Sequence, residues 1–220
     1  MNREEVCRRI EEVGIVPIVR VPTATLALRA VDALLAGGVP VLEITLTVPD
    51  AIGLVRSLVE RLGARRDVLV GAGTVLDAEA AAACADAGAS FIVSPGLDPA
   101  VVAMAHARGL AALPGALTPT EVMNADAAGA DMVKIFPCSA VGGAKYLRAL
   151  RGPFPRVKLL PTGGITPATA HEYFAAGAVA VGMGSELVDV AALERGEEGT
   201  VAARAREIVA AVRSARSRRA

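Results

Sequence analysis

The chain has 220 residues, 53% hydrophobic, 21% charged and 3% aromatic, and its basic and acidic side chains balance. That describes a soluble globular protein with a large core, gives no electrostatic argument for a nucleic-acid partner, and leaves too few rings for base stacking. The start lacks an apolar signal core, no run is long enough to span a bilayer without breakers, and three scattered cysteines (Cys7, Cys84, Cys138) suggest neither a disulfide framework nor a zinc site. A cytoplasmic protein with no membrane, metal or cofactor is expected.

Along the chain, short apolar runs at 15–21, 41–48, 68–75, 91–95, 111–117, 132–137, 157–162 and 178–181 alternate with alanine-rich segments. The segments between them, 23–36, 50–62, 77–87, 98–108, 119–128, 142–150 and 167–176, carry apolar residues at helical spacing. Leu26, Ala30, Ala33 and Leu34 make one such stripe, and Ile52, Val55, Val59 and Leu62 the next. Gly37, Gly63, Gly88, Gly109, Gly129 and Gly177 read as left-handed C-caps. Asp98-Pro99, Thr118-Pro119 and Thr166-Pro167 read as caps before a first-turn proline. The end predicts a further helix over 197–214 and a frayed basic tail over 216–220. Strand–helix alternation with such short connections requires a parallel sheet with right-handed crossovers. Eight units favour an α/β fold of the (β/α)8 TIM-barrel type, with extra N- and C-terminal helices, and no composition break divides 1–220 into more than one domain.

Active sites of such barrels lie at the C-terminal ends of the strands. Lys134 stands in the C-terminal half of an apolar strand, Met132-Val133-Lys134-Ile135-Phe136-Pro137, in a chain with three lysines and twenty arginines. Burial disfavours a charged amine, and a neutral amine attacks carbonyls to form a Schiff base; the alternative is a core-edge lysine that snorkels to solvent. Lys158 starts the seventh strand and Lys145 lies on a helix, so neither is placed for catalysis. In Val41-Leu42-Glu43-Ile44-Thr45-Leu46-Thr47 the strand period puts Glu43, Thr45 and Thr47 on the inward face. Glu43 is then a general base beside Lys134, or its ion-pair partner. Arg20, ending the first strand, is placed to grip a substrate carboxylate or to neutralise Glu43. Gly71-Ala72-Gly73-Thr74 ends strand three, where glycines would admit a ligand to the backbone and Thr74 would offer a hydroxyl. Phe136 would wall the amine from water. Thr162-Gly163-Gly164-Ile165 and Val181-Gly182-Met183-Gly184-Ser185 follow strands seven and eight, the usual phosphate site, so Gly163, Gly164, Gly184 and Ser185 are candidates to hold one. His106 and His171 read as surface residues, and no metal-ligand cluster is visible.

Seven motifs in order resemble the 2-dehydro-3-deoxy-6-phosphogluconate (KDPG) aldolases, which overlap with the 4-hydroxy-2-oxoglutarate (KHG) aldolases. They are Leu42-Glu43-Ile44-Thr45-Leu46, Gly71-Ala72-Gly73-Thr74-Val75, Phe91-Ile92-Val93-Ser94-Pro95, Pro114-Gly115, Val133-Lys134-Ile135-Phe136-Pro137, Pro161-Thr162-Gly163-Gly164-Ile165 and Gly182-Met183-Gly184-Ser185. The resemblance implies a metal-independent, cytoplasmic, homotrimeric lyase at the last step of the Entner–Doudoroff route, acting on a 2-keto sugar acid phosphate. It implies that Lys134 forms the imine, that Glu43 moves protons, and that Arg20, Thr47, Thr74, Pro95, Phe136 and Thr162 meet the substrate. Where some members carry an arginine for the substrate carboxylate this chain has Thr47, and Arg20 is expected to take over. KHG and the 6-phosphogalactonate epimer are alternative substrates. A sugar-phosphate epimerase or isomerase and a non-catalytic sugar-phosphate binder are alternative functions; neither needs a buried lysine and carboxylate together.

Overall fold

In the computed structural model, which describes residues 1–65 and 67–217, strands and helices alternate as the periodicity predicts. Six parallel strands form one sheet: β1 (Ile15–Val19), β2 (Val41–Thr45), β3 (Leu69–Gly73), β4 (Phe91–Val93), β5 (Ala111–Leu113) and, on the far side of β1, β9 (Val181–Met183). A second parallel sheet contains β6 (Gly115–Ala116), β7 (Val133–Ile135) and β8 (Leu159–Pro161). β5 and β6 are one barrel strand interrupted at Pro114, whose carbonyl still accepts from Lys134 N–H at 2.9 Å. A parallel bridge from Thr162 to Gly182 joins β8 to β9. The two sheets thus close into an eight-stranded barrel.

The helices cover the barrel in sequence: α2 (Ala24–Ala36), α3 (Ala51–Leu62), α4 (Ala78–Asp86), α5 (Pro99–Ala107), α6 (Pro119–Ala127), α7 (Gly143–Arg151) and α8 (Ala170–Ala175). Two more follow β9, α9 (Val190–Glu194) and α10 (Glu198–Ser217). Outward-facing strand residues such as Leu42, Ile44 and Ile92 pack with the helices' apolar stripes into the main core. Residues on the other strand face form a separate core inside the barrel, where Val16, Val41, Leu69, Phe91, Leu113 and Leu160 meet.

The helix α1 (Arg3–Val13) closes the N-terminal end of that inner core. Asn2 and Glu5 form a reciprocal capping box at its start. Val6, Cys7 and Ile10 on one face then pack among the inward strand residues. An isolated helix this short is marginal in water; burial of each apolar side chain, worth about 1.5–3 kcal/mol, anchors it. At the other terminus, Arg216 of α10 donates to the carbonyls of Glu11, Glu12 and Val179 and stacks over the Phe174 ring at 5.5 Å.

Five local expectations need correction. Gly37 and Gly63 are right-handed, at φ −83° and −58°, whereas Gly88, Gly109, Gly129 and Gly177 adopt the left-handed conformation. Helix α2 ends through Gly38 instead, at φ 86°. Thr166 stands four residues before α8 begins, and its hydroxyl accepts from the Thr169 N–H of an intervening turn. Gly182 and Met183 belong to the last strand and not to a loop. His106 is not a surface residue: its ring is partly buried and hydrogen-bonded to Asp131 at 3.0 Å. The last helix runs three residues past its expected end, to Ser217, and so includes Arg216 of the expected tail. Residues 218–220 of that tail lie outside the described residues.

Candidate active site

The strand period sorts the inward side chains into layers. On β1, Val16 lies at the closed end, Ile18 higher and Arg20 just past the strand at the open rim. On β2, Val41 is followed by Glu43 and Thr45. On β7, Met132 is followed by Lys134 and Phe136. The closed end is apolar, and the ionisable groups begin one layer above it, toward the C-terminal ends of the strands.

A cavity of about 420 Å³ opens at this end. Its wall carries Arg20, Thr74, Pro95, Lys134, Phe136 and Thr162, together with Gly163, Gly184 and Ser185 of the two glycine loops. Nine of the twelve candidate residues thus meet at one place, from β1, β3, β4, β7, β8 and β9. A larger cleft, about 950 Å³, lies at the opposite face beside α1. Of its arginines, Arg9, Arg65 and Arg108 are paired with Glu12, Asp67 and Asp86, and among the described residues it holds no buried lysine or carboxylate. The smaller cavity is the candidate site.

Lys134 is only 6% exposed, with Nζ 5.3 Å from the centre of the Phe136 ring. Glu43 is 2% exposed, and its Oε1 has no hydrogen-bond partner. No ion pair joins the two among the described residues, so the structural pairing considered above is not formed. Burial pushes the Glu43 carboxyl above its ordinary value of 4.5, while the nearby charges of Lys134 and Arg20 pull in the opposite direction. A buried carboxylate with an unsatisfied oxygen costs free energy unless something uses it. The adjacent Cys138 does not compete as a nucleophile, because burial raises its thiol to about 11.

The glycines before Thr74 serve the protein's own side chains. A Cβ on Gly71 would fall 2.5 Å from the Phe91 ring, and one on Gly73 would fall 2.0 Å from Oε1 of Glu43. They make room for Phe91 and Glu43, a correction to their reading as a ligand approach. Thr74 itself is left-handed at φ 60°, an uncommon conformation for a β-branched residue that costs about 1–3 kcal/mol. It presents Oγ1 to Arg20, whose Nη2 donates to it at 3.1 Å.

Three expected residues are not on the cavity wall, and one of them is Glu43, which is buried against Gly73. Strand β2 ends at Thr45, and the turn carries Thr47 to the solvent side; its hydroxyl is 2.8 Å from that of Thr45 and does not reach the cavity wall. Gly164 sits behind the wall, facing Ser139. The backbone N–H groups of Gly163, Gly164, Ser185 and Glu186 have no acceptor among the described residues, which suits an anion or hydroxyl-rich group. Four lining residues escaped the sequence reading: Ile18, Glu186, Val188 and Val190. Ile18 was accessible by alternation from Arg20. Glu186 follows the strand in a turn, where no period applies. Among the described residues no group of His, Cys, Asp and Glu is placed to hold a metal ion, and no helix is long and apolar enough to cross a membrane.

Comparison with known proteins agrees with this geometry. A model of the KDPG and KHG aldolase family matches residues 6–203. The chain is 38% identical over 195 residues to the KHG/KDPG aldolase of Escherichia coli K12, covering 89% of this chain and 90% of that one. It is 37% identical over 196 residues to the 2-dehydro-3-deoxy-phosphogluconate aldolase of Dickeya dadantii, with 89% and 91% covered. In three dimensions it superposes with a TM-score of 0.84 on the KDPG aldolase of Legionella pneumophila, captured with pyruvate as a covalent carbinolamine, at 30% identity over 92% of this chain and 97% of that one. With the motifs, the barrel and the buried lysine–glutamate layer, these matches place the chain in the KDPG and KHG aldolase family.

Proposed function

We propose that the protein is a class I aldolase that cleaves 2-dehydro-3-deoxy-6-phospho-D-gluconate to pyruvate and D-glyceraldehyde 3-phosphate, the whole chain acting as one barrel domain. The observation that carries this reading is a buried carboxylate with an unpartnered oxygen near a buried lysine at the catalytic end of the barrel. Neutral Lys134 adds to the C2 carbonyl, and loss of water gives a protonated imine that serves as electron sink. Glu43, through a water, takes the C4 hydroxyl proton; the C3–C4 bond breaks, its electrons pass into the enamine, and the aldehyde leaves. The enamine is protonated at C3, and hydrolysis returns Lys134 and pyruvate. Because the two proton transfers run in opposite directions, one carboxyl serves as base and then as acid.

Arg20, held by Thr74, is suited to the substrate carboxylate. Pro95, Phe136 and Thr162 supply the walls, and the N–H groups of Gly163 and Ser185, with the Gly184 turn, the phosphate subsite. Thr47 has no part in this scheme. Cleavage of 4-hydroxy-2-oxoglutarate to pyruvate and glyoxylate is the second reading, favoured by the double name of the Escherichia coli relative. A homotrimer, favoured by exposed apolar side chains such as Leu76 and Met123, and a cytoplasmic place at the end of the Entner–Doudoroff route complete the proposal.

Borohydride reduction with pyruvate, followed by peptide mass mapping, tests it. A stable pyruvyl adduct on Lys134 is expected, and Lys134→Met loses both adduct and turnover. Folded protein that gives no adduct, or an adduct elsewhere, refutes the assignment.

A further inference from the structure

The cavity wall contains an acidic residue that the proposed chemistry does not use. Glu186 lies in the turn after β9, where the amides of Leu187 and Val188 donate to the Gly184 carbonyl at 3.0 and 2.8 Å. The turn places Glu186 in the wall beside Gly163, Gly184 and Ser185, the loops assigned above to the far end of the substrate. Its carboxylate makes no hydrogen bond or ion pair among the described residues. The two basic side chains of the wall make no contact pair with it: Arg20 is engaged with Thr74, and Lys134 lies over the Phe136 ring. A substrate phosphate held by the backbone N–H groups of these loops therefore meets a fixed negative charge of the protein. A hydroxyl group at the same position meets a strong acceptor instead.

We propose that Glu186 determines specificity at this subsite. It weakens the hold on a terminal phosphate and accepts hydrogen bonds from hydroxyl groups, so the site takes 2-keto-3-deoxy sugar acids with an uncharged, hydroxylated tail as well as phosphorylated ones. The inference rests on the aldolase reading and extends its substrate class.

The test compares kcat/KM for 2-keto-3-deoxygluconate with and without its 6-phosphate, in the wild type and in Glu186→Gln. Removing the charge at constant size raises the phosphorylated-to-unphosphorylated ratio roughly tenfold, the scale of one like charge at a partly solvated contact. The gain falls mainly in the KM of the phosphorylated substrate, because the tail is remote from the bond that breaks. Glu186→Lys raises the ratio further. Calorimetric titration with inorganic phosphate reads the same effect without turnover, with roughly tenfold tighter binding expected in the Gln variant. An unchanged ratio together with unchanged phosphate affinity overturns the proposal, as does an equal loss on both substrates. Wild-type protein that traps no pyruvate overturns the aldolase reading instead, and the phosphate titration then still decides whether Glu186 opposes an anion.

Discussion

Replacing Gly73 with alanine perturbs the proposed general base without touching its chemistry. Gly73 pairs with Thr45 across β2 and β3. A Cβ at that position would lie 2.0 Å from Oε1 of Glu43, 2.6 Å from Cδ and 2.7 Å from Cγ. Three side-chain atoms must therefore retreat, the carboxylate by roughly 1 Å, from a position that is 2% exposed and closely packed. Displacing a catalytic group that far costs on the order of 10² in rate, and the overpacking costs about 1–3 kcal/mol of stability. In a coupled pyruvate-release assay Gly73→Ala loses roughly 10²-fold in kcat with little change in KM. Urea unfolding shows a folded but weakened protein, and borohydride still traps pyruvate on Lys134. The Gly73→Ala, Glu43→Gln double variant is no slower than the slower single variant, since both changes act on one carboxyl group. A folded Gly73→Ala protein with wild-type kcat, or multiplied losses in the double variant, would refute this account.

Arg20→Ala, removing the guanidinium beside Thr74, raises KM for 2-keto acid substrates about 10- to 100-fold, the worth of a charge-assisted hydrogen-bond pair, with a smaller effect on kcat; an unchanged KM refutes the carboxylate role. For Glu43, burial raises the folded-state pKa above the ordinary 4.5, so its contribution to stability is fully present below that value and is lost as pH rises through the folded pKa. The melting temperature of Glu43→Gln relative to wild type therefore increases from acid to neutral pH; a difference that shrinks instead contradicts the reading. The acid limb of wild-type kcat/KM correspondingly falls above 4.5, and in Glu43→Gln it disappears along with most of the rate. Arg216→Ala breaks the contacts with Glu11, Glu12, Val179 and Phe174 and lowers the melting temperature by roughly 4–8 °C, about 2 kcal/mol by calorimetry, without altering KM; an unaltered melting temperature shows that the contacts contribute nothing.

The regular parts of the molecule were legible because two periods govern them. Alternation along 41–45 put Glu43 and Thr45 inward, and alternation along 132–136 did the same for Lys134 and Phe136, as the structure has them. The same rule carried two residues too far misplaced Thr47, because the strand ends at Thr45 and a turn has no period. Glycine was the hardest letter to read. Gly71 and Gly73 could signal ligand approach or space for a neighbouring side chain, and only the three-dimensional packing assigns them to Phe91 and Glu43. Gly37 and Gly63 follow helices like the others, but the left-handed turn after α2 is made one residue later, at Gly38. His106 was misjudged because its partner Asp131 is 25 residues away, in the connection between α6 and β7. Glu186 left no trace in any pattern, since its place in the cavity comes from the turn that follows the last strand.

The helix across the N-terminal end of the barrel has a kinetic consequence. With Val6, Cys7 and Ile10 packed across that end, the candidate site opens at the C-terminal ends of the strands. Lys134 stands deeper in it than the turn that holds Ser185 and Glu186. On the proposed reaction the three-carbon fragment stays covalently attached at the bottom, while the aldehyde fragment lies between it and the exit. The aldehyde must leave first in cleavage and enter last in synthesis, so the order of release follows from the shape of the vessel as well as from the bonds.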